Sequence, residues 1–137
     1  MSYARQILDT YAPASVETGL LVTTIEALMD CAQACSADAD ADLGEENLAD
    51  MVECIRLCLD CTDLCAATLG VLSRLASHDS GGTTLLVSAC AAVCKTCGDE
   101  CERHAAMHAH CRVCAEACRR CEQACRQLLL ALESRGR

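Results

Sequence analysis

Cysteine spacing constrains this chain more than any other feature. Three stretches, CIRLCLDCTDLC from Cys54, CAAVCKTCGDEC from Cys90 and CAEACRRCEQAC from Cys114, share the skeleton CxxxCxxCxxxC and almost nothing else. Steps of four, three and four residues keep side chains on one stripe of an α-helix, because the helix turns about once every 3.6 residues. The repeats therefore predict helices that each carry a line of thiols along one face.

The rest of the sequence favours helices as well. Its single proline is Pro13, its glycines cluster only in SHDSGGTT, and the stretches between are rich in Ala, Leu, Glu and Arg, which are good helix formers. Hydrophobic residues make up 53% of the chain but aromatic residues only 1%, so the core must be built almost without rings. We predict an all-α fold, an antiparallel four-helix bundle with cysteines lining its core.

Local signals set the expected domain and helix boundaries. Residues 1–12 are predicted to form a short N-terminal amphipathic helix with Tyr3, Ile7 and Tyr11 on one side, and residues 13–137 to form the bundle.

The first long helix is expected to run from Ser15 to Ala39. Asp42 and Glu45 have the spacing of a capping box and should start the second helix, which ends before Ser77.

A turn is expected between the last two cysteine stripes, although neither glycine nor proline separates them. Continuing the phase of the earlier stripe past Cys111 requires a member at Ala115, whereas the cysteine is Cys114. A single helix from the glycines to the C-terminus would also run about fifty residues, far beyond the usual length. We place the turn near Ala105 and Ala106.

The cysteine content, fifteen in 137 residues, is typical of secreted domains held by disulfides. Here the count is odd, and cysteines three or four apart on a helix point the same way. The N-terminal segment lacks the basic start and clean apolar run of a signal peptide, so we expect a cytoplasmic protein with reduced thiols. No apolar stretch reaches about eighteen residues and no dense basic patch offsets the net charge of −9. We therefore expect neither a membrane nor a nucleic acid as partner.

Metal binding is the favoured purpose of these thiols. Cysteine packs as a small hydrophobe, but leucine, isoleucine or alanine would fill a core without its redox liability. Cysteines at i and i+4 hold two sulfurs near one soft ion, and thiolates select Cu(I). Zinc requires four donors in a tetrahedron, which one helix face cannot supply although four helices could.

An iron-sulfur protein is the other alternative. The triplet CxxxCxxC also marks radical S-adenosylmethionine enzymes, but those enzymes hold it on a loop of a much larger domain. Ferredoxin motifs likewise lie in loops and usually carry a nearby proline, which is absent from these stretches.

Charge balance indicates the capacity of a copper core. Buried thiolates require cations, and each Cu(I) offsets one thiolate, so the core should hold about one copper per cysteine or somewhat more. A catalytic site needs one or two metals, and the sequence offers no evident nucleophile, base and orienting residue. The expected role is storage, and we expect no enzymatic activity.

The repeated skeletons, together with the CxxxC at Cys31 and Cys35, resemble the bacterial copper storage proteins over roughly Ser15 to Glu133. The resemblance implies a bundle that binds many Cu(I) ions per chain, for detoxification or supply to cuproproteins, and that usually assembles as a homotetramer. Exported members carry a twin-arginine signal, which this chain lacks, so it is similar to the cytosolic branch. Copper ions are the expected cargo, and a copper chaperone is a candidate partner.

The candidate metal ligands are the stripe cysteines and two neighbouring histidines. They are Cys31, Cys35, Cys54, Cys58, Cys61, Cys65, Cys90, Cys94, Cys97, Cys101, Cys111, Cys114, Cys118, Cys121, Cys125, His104 and His108. Folding the chain at its turns brings five leucines to one end of the bundle: Leu69, Leu72, Leu86, Leu128 and Leu129. The histidines reach the opposite end with Met51 and Met107, and we expect copper to enter there.

Overall fold

The computed structural model describes residues 2–10, 16–75 and 81–135. It contains the helices α1 (Tyr3–Leu8), α2 (Thr18–Leu43), α3 (Leu48–Leu72), α4 (Thr83–His104) and α5 (Ala109–Arg135). Helix α2 packs on α3 and α5, α4 packs on the same two helices, and α1 packs on α2. Within the described segments, no helix is both long and apolar enough to span a bilayer.

Contacts between cysteines show that α3 and α4 run antiparallel. Cys65 near the end of α3 contacts Cys90 near the start of α4, and Cys54 near the start of α3 contacts Cys101 near the end of α4. The predicted antiparallel four-helix bundle with cysteines in its core is therefore confirmed.

Helix α2 begins at Thr18 and not at Ser15, which lies outside the described residues. The carboxylate of Glu17 accepts hydrogen bonds from the backbone N–H groups of Gly19 and Leu20, at 2.7 and 2.9 Å. These bonds satisfy two of the amides that the first turn of a helix leaves free.

The expected helix end at Ala39 and capping box at Asp42 are wrong. Helix α2 continues to Leu43, and Asp42 lies inside it as a fully buried residue. Helix α3 begins only at Leu48, after Asn47, whose side chain makes no capping hydrogen bond. Asp42 instead accepts a hydrogen bond from the thiol of Cys111 across the bundle, at 3.5 Å.

The predicted turn near Ala105 and Ala106 is confirmed. Helix α4 ends at His104 and α5 begins at Ala109. The backbone N–H groups of Met107 and His108 both donate to the carbonyl of His104, at 3.1 and 2.9 Å. This tight turn sends α5 back along α4.

The N-terminal helix α1 leaves much of its predicted apolar side exposed. Tyr3 and Ile7 are 82% and 52% exposed, and Leu8 is the residue that is buried. Tyr11 lies outside the described residues. The hydroxyl oxygen of Ser2 accepts a hydrogen bond from the Arg5 N–H and caps the helix.

The bundle core has two zones. Large aliphatic side chains fill much of the end near the first turn of α2, and cysteines fill most of the rest. The fully buried aliphatic residues include Leu21, Leu28, Leu72, Val87 and Leu128.

Helices α4 and α5 approach closely at Gly98. A Cβ atom at this position would lie 3.0 Å from Nη1 of Arg119 and 3.2 Å from the Cβ of Cys118. Arg119 in turn pairs with Asp99 and Glu102 on α4, at 2.6 and 2.9 Å. The absence of a side chain at Gly98 thus lets the thiols of the two helices meet in the core.

Candidate metal centre

All fifteen cysteines are free thiols buried inside the bundle. Sulfur–sulfur contacts of 3.6 to 4.0 Å connect α2, α3, α4 and α5 from Cys90 near the leucine end to Cys54 near the opposite end. We call this array the thiol column. Every stripe cysteine predicted from the sequence therefore faces the same interior.

Groups of four thiols recur along the thiol column. In one of them each helix of the bundle supplies a sulfur, and the four atoms lie within 4.8 Å of one another: Cys31, Cys65, Cys94 and Cys121. The next group contains Cys31, Cys35, Cys61 and Cys118. Because consecutive groups share cysteines, the column is a continuous array of donors and not a set of separate sites.

Hydrogen bonds between thiols divide them by acidity in the metal-free chain. They lower the pKa of Cys31, through Cys118 above all, and raise the pKa of Cys35, through Cys114 above all. Burial raises the pKa of Cys111, and the nearby Asp38 and Asp42 carboxylates add to this effect. The thiols cannot all ionise together unless cations enter.

Asp38 closes the thiol column at the histidine end. One of its carboxylate oxygens, Oδ2, lies 3.5 Å from the sulfurs of Cys58 and Cys101 and 3.9 Å from that of Cys54. These four side chains form a further group of possible ligands. Asp42 lies one turn further on, and its Oδ2 is buried without a hydrogen-bond partner among the described residues.

The sequence contains a signal for both aspartates that the cysteine spacing alone does not reveal. Cys31, Cys35, Asp38 and Asp42 have the same steps of four, three and four as the three cysteine skeletons. Helix α2 therefore carries a fourth copy in which carboxylates stand in the last two positions.

Burial dominates the protonation of these two carboxyl groups. It raises the pKa of Asp42 to about 8, and neighbouring Cys54 and Asp38 act in the same direction. Burial also raises the pKa of Asp38, although the hydrogen bond with His110 opposes it. A neutral carboxyl group is favoured until a cation or imidazolium offsets the charge.

His110 is a third residue of this end that the sequence alone does not single out. Its Nδ1 lies 2.5 Å from Oδ1 of Asp38 and 3.6 Å from the sulfur of Cys111, and its Nε2 lies 2.9 Å from Oε1 of Glu45. Burial lowers its pKa, but the bonds with Asp38 and Glu45 outweigh that effect and raise it. The histidine-rich stretch RHAAMHAHCR drew attention to this turn without showing which rings face inward.

His104 and His108, the two predicted histidines, flank the same end and are 13% and 11% exposed. His104 Nε2 lies 3.2 Å from Oε1 of Glu100, and His108 Nδ1 lies 3.4 Å from Oε1 of Glu45. The two predicted methionines differ from each other: Met51 is fully buried, whereas Met107 is 71% exposed in the turn.

The opposite end of the bundle is closed by leucines. Leu72 and Leu128 are fully buried there, and Leu69 and Leu129 pack partly buried against the core. The buried carboxylates and the imidazoles are thus concentrated at the other end of the thiol column.

Comparison with known proteins identifies the family. The family profile described as Csp, copper storage protein, matches residues 18–130. The chain belongs to the copper storage protein family. The matched residues include all fifteen cysteines and the carboxylate and histidine end.

Solved structures of this family resemble the chain closely. A copper storage protein, Ccsp, from Streptomyces lividans, loaded with 10 copper equivalents, is 51% identical with a TM-score of 0.89, and the match covers 93% of this chain and 98% of that one. A second structure, a cytosolic copper storage protein of Streptomyces lividans with five coppers, is 55% identical with a TM-score of 0.79, over 82% and 93% of the two chains.

More distant relatives come from Bacillus subtilis. The Cu(I)-bound copper storage protein BsCsp3 is 36% identical with a TM-score of 0.68, over 76% of this chain and 92% of that chain. The cysteine-rich protein YhjQ of Bacillus subtilis strain 168 is also 36% identical, over 76% of this chain and 91% of that protein.

Proposed function

We propose that this chain stores copper in the cytoplasm by binding many Cu(I) ions through its core thiolates, for detoxification or for supply to cuproproteins. The observation that carries the proposal is the thiol column, in which free, buried sulfurs follow one another at 3.6 to 4.0 Å. Similar proteins of Streptomyces lividans have been loaded with copper, and one of them is described as cytosolic.

The charge of the core supports metal as the occupant. Among the described residues no lysine or arginine is buried, and the buried residues that can carry charge, cysteines aside, are Asp38, Asp42 and Glu100. Ionised thiols in this interior have no protein cation to offset them. Buried charges without partners cost many kcal/mol, so the column ionises only as metal ions enter it.

Charge also favours Cu(I) over zinc. The groups of four thiols are close enough to suit a tetrahedral zinc ion as well as copper, so geometry alone does not separate the two. One Cu(I) per thiolate leaves the column neutral, whereas each zinc with four thiolates keeps two negative charges in an interior that contains only further acids. Cu(I) is therefore the proposed cargo.

The proposed ligand set is the fifteen cysteines, extended at one end by nitrogen and oxygen donors. Asp38, Asp42 and His110 contact the outermost thiols directly. His104 and His108 lie beyond them, with Met51 buried beneath and Met107 exposed in the turn. We infer that copper enters at this end and that the leucine end stays closed.

The remaining assignments rest on the family resemblance. We propose that the chain has no catalytic role, assembles as a homotetramer and receives copper from a chaperone. Tyr3 and Ile7 of α1 form an exposed apolar surface with Met29 of α2. This surface supports the proposal of assembly because it would be buried between subunits. Light scattering during size-exclusion chromatography tests the tetramer.

Anaerobic titration of the reduced protein against a Cu(I) chelator tests the storage function. We expect an end point at about fifteen ions or slightly more, since each Cu(I) offsets one thiolate. An end point near about one to four ions would contradict storage and favour a chaperone or redox role. A variant with serine at Cys58, Cys61, Cys94 and Cys118 should lose capacity while keeping its helices.

Metal preference and colour separate copper storage from the zinc and iron-sulfur alternatives. A zinc protein would bind about three or four Zn2+ ions to its cysteines in preference to Cu(I). An iron-sulfur protein would be brown when purified, whereas a Cu(I)-thiolate protein is colourless.

A further inference from the structure

A groove opens between α2 and α5 on the side of the bundle. Its volume is about 370 Å³, which lies within the range of pockets that hold small molecules. Small side chains on α2 leave this space open, and its lining includes Ala34, Ala37, Ala41, Asp38, Val113 and Cys114. We call this space the α2–α5 groove. Because Ala37 and Val113 are exposed, the groove is accessible from solvent.

The α2–α5 groove reaches the one thiol that the bundle does not cover completely. Cys114 is 1% exposed, whereas the other fourteen cysteines are 0% exposed. The sulfur of Cys114 lies 3.6 Å from that of Cys35 and 3.9 Å from that of Cys58. It is also a member of two groups of four, one with Cys35 and one with Cys58. A Cu(I) ion bound by Cys114 is therefore already within the thiol column.

The lining of the groove indicates the kind of molecule that fits it. Alanine methyl groups and Val113 give it apolar walls, and the carboxyl group of Asp38 is a polar group beside the thiol. Mostly apolar walls with a few polar groups are typical of sites for small ligands. Cu(I) selects thiolates, so a carrier that brings the ion to Cys114 needs a sulfur of its own and a body small enough to enter the groove.

We propose that the α2–α5 groove docks a small monothiol that carries Cu(I) on its sulfur, and that Cys114 is the first thiol of the protein to receive the ion. The proposal rests on the storage function, because it names the class of donor that fills the column. In the transfer, the bond from copper to the donor sulfur breaks as the bond to Sγ of Cys114 forms. The proton of the Cys114 thiol leaves with the donor, which departs as a free thiol, and copper stays in the +1 state.

Alkylation of the reduced, metal-free protein tests the access of solvent to Cys114. Brief treatment with iodoacetamide, followed by tandem mass spectrometry, should modify Cys114 before Cys118, which lies one turn further along α5 and is fully buried. Modification of any other cysteine ahead of Cys114 would overturn the proposal.

Two alanine-to-leucine variants test the groove itself. Ala37 and Ala92 are both exposed helical residues, and leucine is a good helix former, so both variants should fold. Ala37→Leu fills part of the groove, whereas Ala92 lies on α4. A misplacement of about 1 Å can slow a reaction about a hundredfold, so Ala37→Leu should slow the transfer of copper from Cu(I)–glutathione at least about tenfold. Ala92→Leu should match the parent, and equal rates in the two variants would contradict the proposal.

Competition tests whether a thiol compound docks before it transfers copper. S-methylglutathione has the skeleton of glutathione without a free thiol, and it should slow the transfer from Cu(I)–glutathione to the parent but not to Ala37→Leu. Protein-bound copper is measured after rapid gel filtration at set times. Absence of competition would refute docking, whether copper then arrives as a free ion or on a protein.

The final copper content separates this proposal from the storage function. Both variants should reach the content of the parent, because no thiol is changed. A failure of the alkylation, transfer or competition experiment with a full copper content would overturn the groove proposal and leave storage intact. A low copper content in the parent would contradict the storage function, and this proposal with it.

Discussion

His110 Nδ1 lies 2.5 Å from Asp38 Oδ1, a contact that joins the first turn of α5 to the second half of α2. The other oxygen of the same carboxylate lies 3.5 Å from the sulfurs of Cys58 and Cys101. Asp38 thus connects the imidazole at the surface to the thiol column beneath it.

Replacement of Asp38 should change the protonation of His110. Burial by itself lowers the pKa of His110, and the carboxylates of Asp38 and Glu45 raise it. In Asp38→Asn the pKa of His110 should therefore fall, as measured by NMR titration of the ring protons in the metal-free protein. Asp40→Asn, an exposed change two residues away, should leave the titration unaltered, and an equal effect of both variants would refute a direct contact.

Replacement of His104 and His108 together by alanine should slow copper loading and unloading. Both rings lie at the histidine end of the bundle, next to the turn between α4 and α5. The final copper content should stay within about two ions of the parent, since the thiolates that select Cu(I) are untouched. Stopped-flow transfer from a Cu(I) complex measures the rates. Ala106→Ser, a change in the exposed turn, is the control. Unchanged rates in the double variant would mean that copper enters the bundle elsewhere.

The metal-free protein should lose stability as the pH rises. Burial raises the pKa of Asp42 from 3.8 to about 8, so between these values the folded chain holds a proton that the unfolded chain releases. The free energy of unfolding therefore decreases from about pH 4 to about pH 8, by up to about 1.4 kcal/mol per pH unit for this group. The pKa of His110 is raised above its ordinary value of 6.5 by Asp38 and Glu45, so this residue contributes stability that is lost as the pH rises past 6.5.

Asp42→Asn isolates the contribution of the aspartate. The amide is neutral at every pH, so the variant should show a smaller decrease in stability between about pH 5 and about pH 8, with the part due to His110 remaining. Urea unfolding of the reduced, metal-free proteins provides the measurement. Identical slopes for parent and variant would mean that Asp42 is ionised in the folded chain throughout.

The leucine end should matter for stability and not for copper. Leu128 is fully buried, and Leu128→Ala should lower the free energy of unfolding by about 2 to 5 kcal/mol without reducing the copper capacity. Leu130→Ala, on the same helix but 66% exposed, should change stability by no more than about 0.5 kcal/mol. Loss of copper capacity in the first variant would show that the two core zones are coupled.

Much of the metal centre could be predicted from the spacing of the cysteines. Steps of four, three and four residues suit a helix and leave strands without a consistent face, so the stripes of α3, α4 and α5 followed from the cysteines alone. The turn near Ala105 also followed, because Cys114 breaks the phase set by the preceding stripe. These features depend only on the geometry of a single helix.

The predictions of a helix end at Ala39 and of a capping box at Asp42 failed because the same residue spacing fits two structures. Asp42 and Glu45 fit a capping box, while Asp38 and Asp42 also extend the stripe that Cys31 and Cys35 begin. Either arrangement gives the carboxylate a hydrogen-bond donor. In a capping box the donors are backbone N–H groups, and in the stripe they are side chains of another helix.

The sequence by itself determined the all-α bundle, the inward thiols and the metal chemistry, because helical period and sulfur donors are properties of single segments. Only the tertiary structure decided that Asp42 belongs to α2, since its hydrogen-bond partner Cys111 lies 69 residues away. It also decided that His110 faces Asp38 while Met107 faces solvent. The two contacts depend on how α2 and α5 pack at one end of the bundle, and no local pattern of residues encodes that packing.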